Sequence, residues 1–284
     1  MNNLLKNNEE IKIISLGATC AVKLFLNKYG RKYNNQGMYH CKTNFFDWIG
    51  TMAGMLPDII KSTPIILDDE YYPENDELAK IYSWSNNTRV HKKYLLSFPH
   101  YKSEDYTNQE LTMLLNRRLL NFYQDILHNK NNFHIFIYFE DNEIRHFNPK
   151  YNEKIIEKCV CKCNDINNYV VEQTIFQVKI IKKLANFFSE QFPCKFIIIY
   201  LSNNFTEDFE YSNNVLNIKT ISDYDNSMWE VWADIINNTL NKYEKEITDI
   251  IQKIQPTNQR TNKLIQTYNE PPPFIKSSFW FNRY

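Results

Sequence analysis

The run "IKIISLGATCAVKLFL", residues 11–26, places a cysteine where a thiol could do chemistry. An apolar, β-branched stretch from Ile11 to Leu16 closes on Gly17, and helical spacing through Val22, Leu24, Phe25 and Tyr29 begins just past Cys20. A thiol at the start of a helix meets unpaired backbone N–H groups and the positive end of the helix dipole. Such a place lowers a thiol pKa and yields a nucleophile for acyl transfer. Gly17 would let a substrate oxygen approach the main chain, and the N–H groups around Ala18, Thr19 and Ala21 could form an oxyanion hole. The competing account is structural: cysteine is among the commonest buried residues and can simply pack a strand-to-helix corner.

A nucleophilic thiol needs a base, and imidazole is the usual one. Of the six histidines, His100 in "LLSFPHY" is the best placed, directly after a proline-terminated extended run. His134 alternates within an apolar strand and reads as a core residue, while His128 falls at a helix end, where histidine is favoured electrostatically. His146 follows a charged turn, and His40 and His91 lie in polar surroundings.

"FFDWIG" is the other unusual cluster. Asp47, between Phe46 and Trp48, is either a helix N-cap or a buried carboxylate with a dedicated partner; orienting His100 would supply that partner. Trp48 joins Gly17, Ala18 and Thr19 on the substrate side of the expected site. "CVCKC", Cys159 to Cys163, has neither the CxxC spacing nor a second Cys/His pair, so no metal is expected. Neither GxGxxG nor GxxxxGK[ST] occurs, and no cofactor is expected.

These groups need a scaffold to meet. "FHIFIYF" (133–139) and "KFIIIYL" (195–201) read as fully buried strands, with "NVLNIKTI" (214–221) a shorter one. "TNQELTMLLNRRLLNFYQDILH" is an amphipathic helix opened by Thr107 and Glu110 at capping-box spacing. "VEQTIFQVKIIKKLANFFSE" is a second helix, and "NSMWEVWADIINNTLNKYEKEITDIIQKI" a long third, capped by Asp225 or Ser227. "TMAGMLPDIIK" reads as a short helix broken near Pro57, and Tyr94–Phe98 as an extended piece. Apolar strands between amphipathic helices predict an α/β fold: a mostly parallel central sheet flanked by helices, in a Rossmann-like three-layer arrangement. Ligands in such sheets bind beyond the carboxyl ends of the strands, where Gly17 to Cys20 would lie. Residues 1–255 are expected to form one domain, with 256–284, which includes "FWFNRY", an extended tail packing back on it.

Composition narrows the classes. With 43% hydrophobic and 15% aromatic residues among 284, the chain can build a substantial core. Only 5 Gly and 10 Pro argue against a turn-dense β-sandwich. The 33 basic and 33 acidic residues cancel, which leaves no global field for nucleic acid. No window approaches the ~20 apolar residues of a membrane span. The start "MNNLLKNNEEIK" is polar, so a cytoplasmic protein with reduced cysteines is expected.

"ISLGATCAVKLFL", then "NFFDWIG", then "LLSFPHY" ahead of a helix and a strand, resembles an uncharacterised family described as papain-like cysteine peptidases. Its members open with a strand, an SLGxxC turn and a PFDW-like motif, with a histidine further on. The resemblance covers the N-terminal half and implies Cys20 as nucleophile, His100 as base and Asp47 in the aromatic motif. Phe45 stands where that family usually has Pro, and Tyr101 where an acid often follows the histidine. A thiol on a strand-to-helix turn is also similar to the nucleophile placement in SGNH-type esterases and certain polysaccharide-modifying acyltransferases. The expectation is therefore cysteine-dependent hydrolase or acyltransferase chemistry on a small-molecule, glycan or peptide substrate. The alternative is a non-catalytic carbohydrate- or protein-binding α/β protein, suggested by the aromatic residues of "YSWSNN" and "FWFNRY".

Overall fold

Continuous burial along β5 (Phe133–Glu140), with successive side chains facing opposite ways, explains how one strand supports two cores. Phe133, Ile135, Ile137 and Phe139 enter one apolar cluster, whereas Phe136 and Tyr138 enter another, as the two-residue period of a strand requires. The computed structural model describes residues 11–17, 20–33, 45–51, 56–61, 70–74, 76, 79, 88–94, 96–128, 132–140, 166–192, 194–203, 205–220 and 229–254. "CVCKC", "YSWSNN" and the tail 256–284 lie outside them, as do Asp225, Ser227, Ala18 and Thr19.

The fold is α/β. A five-stranded mixed sheet runs β1 (Ile11–Ser15), β5, β6 (Lys195–Ser202), β8 (Val215–Lys219), β7 (Phe209–Ser212), with every pairing parallel except β7 with β8. Ile11 pairs with Phe133 and Phe133 with Lys195, so the carboxyl ends of β1, β5 and β6 share one edge. A smaller antiparallel sheet holds β2 (Tyr71–Tyr72), β3 (Arg89–His91) and β4 (Ser97–Phe98).

Six helices are described: α1 (Ala21–Tyr33), α2 (Leu56–Lys61), α3 (Asn108–His128), α4 (Ile166–Gln191), α5 (Trp229–Lys242) and α6 (Glu244–Lys253). Residues of α1, α5 and α6 share the cluster of Ile135 and Ile137; residues of α2, α3 and α4 share that of Phe136 and Tyr138. The capping box at the start of α3 forms as expected: Thr107 N–H donates to Glu110 Oε2 at 2.9 Å, and Glu110 N–H to Thr107 Oγ1 at 3.2 Å. No helix among the described residues is long and apolar enough to cross a membrane.

Three local readings change. Pro57 does not break its helix but sits in the first turn of α2, where its missing N–H is harmless. The long C-terminal helix is two, α5 and α6, parted at Tyr243 with φ −108° and ψ 22°. Strand β7 escaped notice, although Asn213 and Asn214, at φ 52° and 60°, are the left-handed pair of a tight hairpin. The extended piece expected at Tyr94–Phe98 ends in strand β4, Ser97–Phe98, which pairs with β3.

Candidate active site

The site is built at the carboxyl end of β1. Leu16 N–H still donates to Ile137 O at 2.9 Å, and then the chain turns at Gly17 with φ +88°. Gly17 N–H bonds Ser15 Oγ at 3.1 Å. A side chain at 17 would be strained at that φ and would also collide with Thr51, whose Oγ1 lies 2.4 Å from where a Cβ would stand. Thr51 donates from Oγ1 to Leu16 O at 3.0 Å, and Tyr138 Oη donates to Thr51 O at 3.3 Å. The end of "FFDWIGT" is thus clamped onto the turn that leads to Cys20.

Cys20 lies at the start of α1 and its carbonyl accepts from Leu24 N–H at 3.0 Å, the first bond of the helix. The side chain is buried, in the apolar cluster that α1 shares with β5. Burial pushes its thiol up to about 11, outweighing the lowering from its own backbone hydrogen bond. The expected preformed thiolate is therefore not the resting form at neutral pH; removal from water outweighs the helix end. Cys194 is likewise a buried free thiol.

Asp47 is no helix cap. It occupies the turn Phe45–Trp48, and the next described helix starts at Leu56. Its Oδ2 lies 3.1 Å from Lys23 Nζ, with side chains only 2% and 4% exposed. Sequence reasoning missed Lys23. The available signal was a lone cation inside the apolar run "CAVKLFL", one helical turn beyond Cys20.

Trp48 follows at φ 64°, a left-handed conformation that costs a bulky residue about 1–3 kcal/mol. It packs against both apolar clusters. Its indole meets the His100 ring edge to face, centroids 5.0 Å apart at 72°. His100 keeps a solvent-exposed face, and partial burial lowers its imidazole below the ordinary 6.5. Two backbone bonds between Gly50 and Ser97, at 2.9 and 3.0 Å, join the Trp48 segment to β4, which leads into His100.

Beyond His100 the chain is held by Arg89. Its guanidinium donates to Tyr101 O at 2.7 Å, Lys102 O at 3.1 Å and Asn108 Oδ1 at 3.0 Å. Burial raises the Tyr101 phenol, Arg118 opposes this by donating to its oxygen, and the nearby Asp47 charge adds to the rise. Arg89 and Arg118 were also unforeseen, because their partners lie on other elements.

Of the expected residues, Trp48 and His100 touch, whereas Gly17 and Asp47 connect through unforeseen partners. Gly17 touches Thr51, Gly50 pairs with Ser97, Trp48 meets His100, and Asp47 joins Lys23 on the helix that begins beside Cys20. The arrangement offers a neutral thiol, a neutral imidazole at pH 7 and the amide end of α1. Among the described residues no group of His, Cys, Asp and Glu could hold a metal ion. No protein-family model matches the chain, and neither a curated protein nor a solved structure does.

Proposed function

We propose that the chain is a cysteine-dependent acyl-transfer enzyme, a hydrolase or acyltransferase, with Cys20 as nucleophile and His100 as base. The observation that carries it is the stitching of the β1 turn to the His100 loop by residues 47–51. In this reading the domain is 1–255, Rossmann-like and three-layered, and it acts in the cytoplasm on a small-molecule, glycan or peptide acyl donor.

The chemistry runs in two halves. Sγ attacks the substrate carbonyl carbon while His100 takes the thiol proton; with a thiol near 11, the proton leaves during attack rather than before it. The oxyanion is stabilised by the amide end of α1. His100 then delivers that proton to the departing amine or alcohol, leaving a thioester on Cys20. Water, or an acceptor hydroxyl, attacks the thioester as His100 removes its proton, and the proton returns to sulfur as the acyl product leaves. Water makes the chain a hydrolase and a hydroxyl acceptor an acyltransferase.

The test is acylation of the full chain by a series of nitrophenyl acyl esters, with adducts mapped by mass spectrometry. The expected adduct sits on Cys20, is absent from Cys20→Ala, and forms about a hundredfold more slowly in His100→Ala. Uniform acylation of all cysteines, or a rate indifferent to His100, overturns the proposal. The second reading is a non-catalytic binding protein in which Cys20 packs the corner; the upward shift of its thiol favours it. An unreactive Cys20 together with retained glycan or peptide binding in Cys20→Ser would establish it.

A further inference from the structure

We propose that the buried Lys23–Asp47 pair is a positioning device for His100: by fixing residue 47 it holds Trp48 in its left-handed conformation, and the indole then sets the imidazole. The inference rests on the assignment of His100 as base.

A tryptophan at φ 64° persists only where its neighbours over-determine the backbone. Here both flanks are tied. On one side Asp47 reaches Lys23 of α1 at 3.1 Å in a nearly water-free setting. On the other, Ile49 is buried and Gly50 exchanges both backbone hydrogen bonds with Ser97 of β4. Trp48 is therefore suspended between α1 and β4, and its indole contacts both apolar clusters as well as His100. The imidazole has its own chain anchored before it at Ser97 and after it by Arg89 on the Tyr101 and Lys102 carbonyls. Those backbone ties fix the chain, and the indole edge contact acts on the ring itself.

An ion pair has a direction that an apolar contact lacks, because Nζ and the carboxylate oxygens must meet at hydrogen-bond distance. Replacing both partners by apolar residues of similar size keeps the burial and removes the direction. The fold should then survive while the Trp48 backbone relaxes.

The experiment is proton NMR of the full chain, with the His100 ring signals assigned by their loss in His100→Gln. In the wild type those signals are expected to be displaced by the indole ring current from the positions of exposed histidines. Trp48→Gly, which suits the positive φ, removes the indole and supplies the undisplaced reference. In the Lys23→Met/Asp47→Leu double variant, amide dispersion should remain native while the His100 signals move most of the way to that reference. Cys20 acylation should fall with them, by about a hundredfold if the ring is misplaced by an ångström. A folded double variant that keeps the wild-type displacement overturns the proposal. Should that variant fail to fold, Asp47→Asn, nearly isosteric, is read against the same two positions with the same consequences. The ring signals do not depend on catalysis. Wild-type acylation indifferent to His100 would thus remove the enzymatic assignment, while an unmoved His100 signal would remove only the positioning role.

Discussion

Lys23 Nζ and Asp47 Oδ2 meet at 3.1 Å with almost no access to solvent, and they join the first helix to the turn that carries Trp48. A charge removed from such a pair leaves its partner buried and uncompensated. Lys23→Met alone is expected to lower unfolding free energy by about 3–5 kcal/mol, read from urea melts, whereas Lys23→Met/Asp47→Leu should regain most of that. A double variant as weak as the single would show that the pair is not the source of the loss.

Stability should fall in alkali because of two thiols. Cys20 is raised from 9.0 to about 11 and Cys194 to about 12, both by burial. Their contribution is intact below pH 9, where both states hold the proton. It is lost as pH climbs through the folded values, since the unfolded chain ionises first. For Cys20 the full loss is about 3 kcal/mol. Denaturant midpoints at pH 8 and pH 11 should converge in Cys20→Ala/Cys194→Ala relative to the wild type. An unchanged gap would mean that these thiols are not held neutral.

His100 should titrate below the ordinary histidine value, because burial disfavours its charged form. Trp48→Gly opens the ring to water, so its NMR titration midpoint should rise towards 6.5. The pH profile of Cys20 acylation should shift upwards with it, since the base must be unprotonated to act. A midpoint that stays put would show that the indole does not desolvate this ring.

Gly17→Ala adds two faults together, a non-glycine residue at φ +88° and a Cβ 2.4 Å from Thr51 Oγ1. A loss of several degrees in thermal midpoint is expected, on the order of 1–3 kcal/mol for the backbone alone. Pairing it with Thr51→Ala relieves the Oγ1 and Cγ2 contacts but not the backbone, so recovery should be partial. Full recovery would locate the whole defect in the side-chain clash.

Much of the scaffold was legible in the chain. The apolar-rich runs at 133–139 and 195–201 became β5 and β6 within a residue, because a strand buried on both faces has few polar positions to blur it. The Thr107–Glu110 cap is a contact between residues three apart, so local spacing sufficed. The candidate site was legible in part. Gly17, Asp47, Trp48 and His100 were picked out by type; Trp48 and His100 touch, whereas Gly17 lies against Thr51 and Asp47 pairs with Lys23.

By itself, the sequence determined what periodicity and near neighbours control: the α/β class, the strand cores, the capped start of α3 and the chemically capable side chains. Only the tertiary structure decided the partnerships and the protonation states. Asp47 finds Lys23 rather than a helix end, Trp48 is bent to positive φ between two anchors, and Cys20 is neutral instead of ionised. Each depends on which distant segments exclude water from a side chain. A charge or a proton answers to that enclosure more than to its neighbours along the chain.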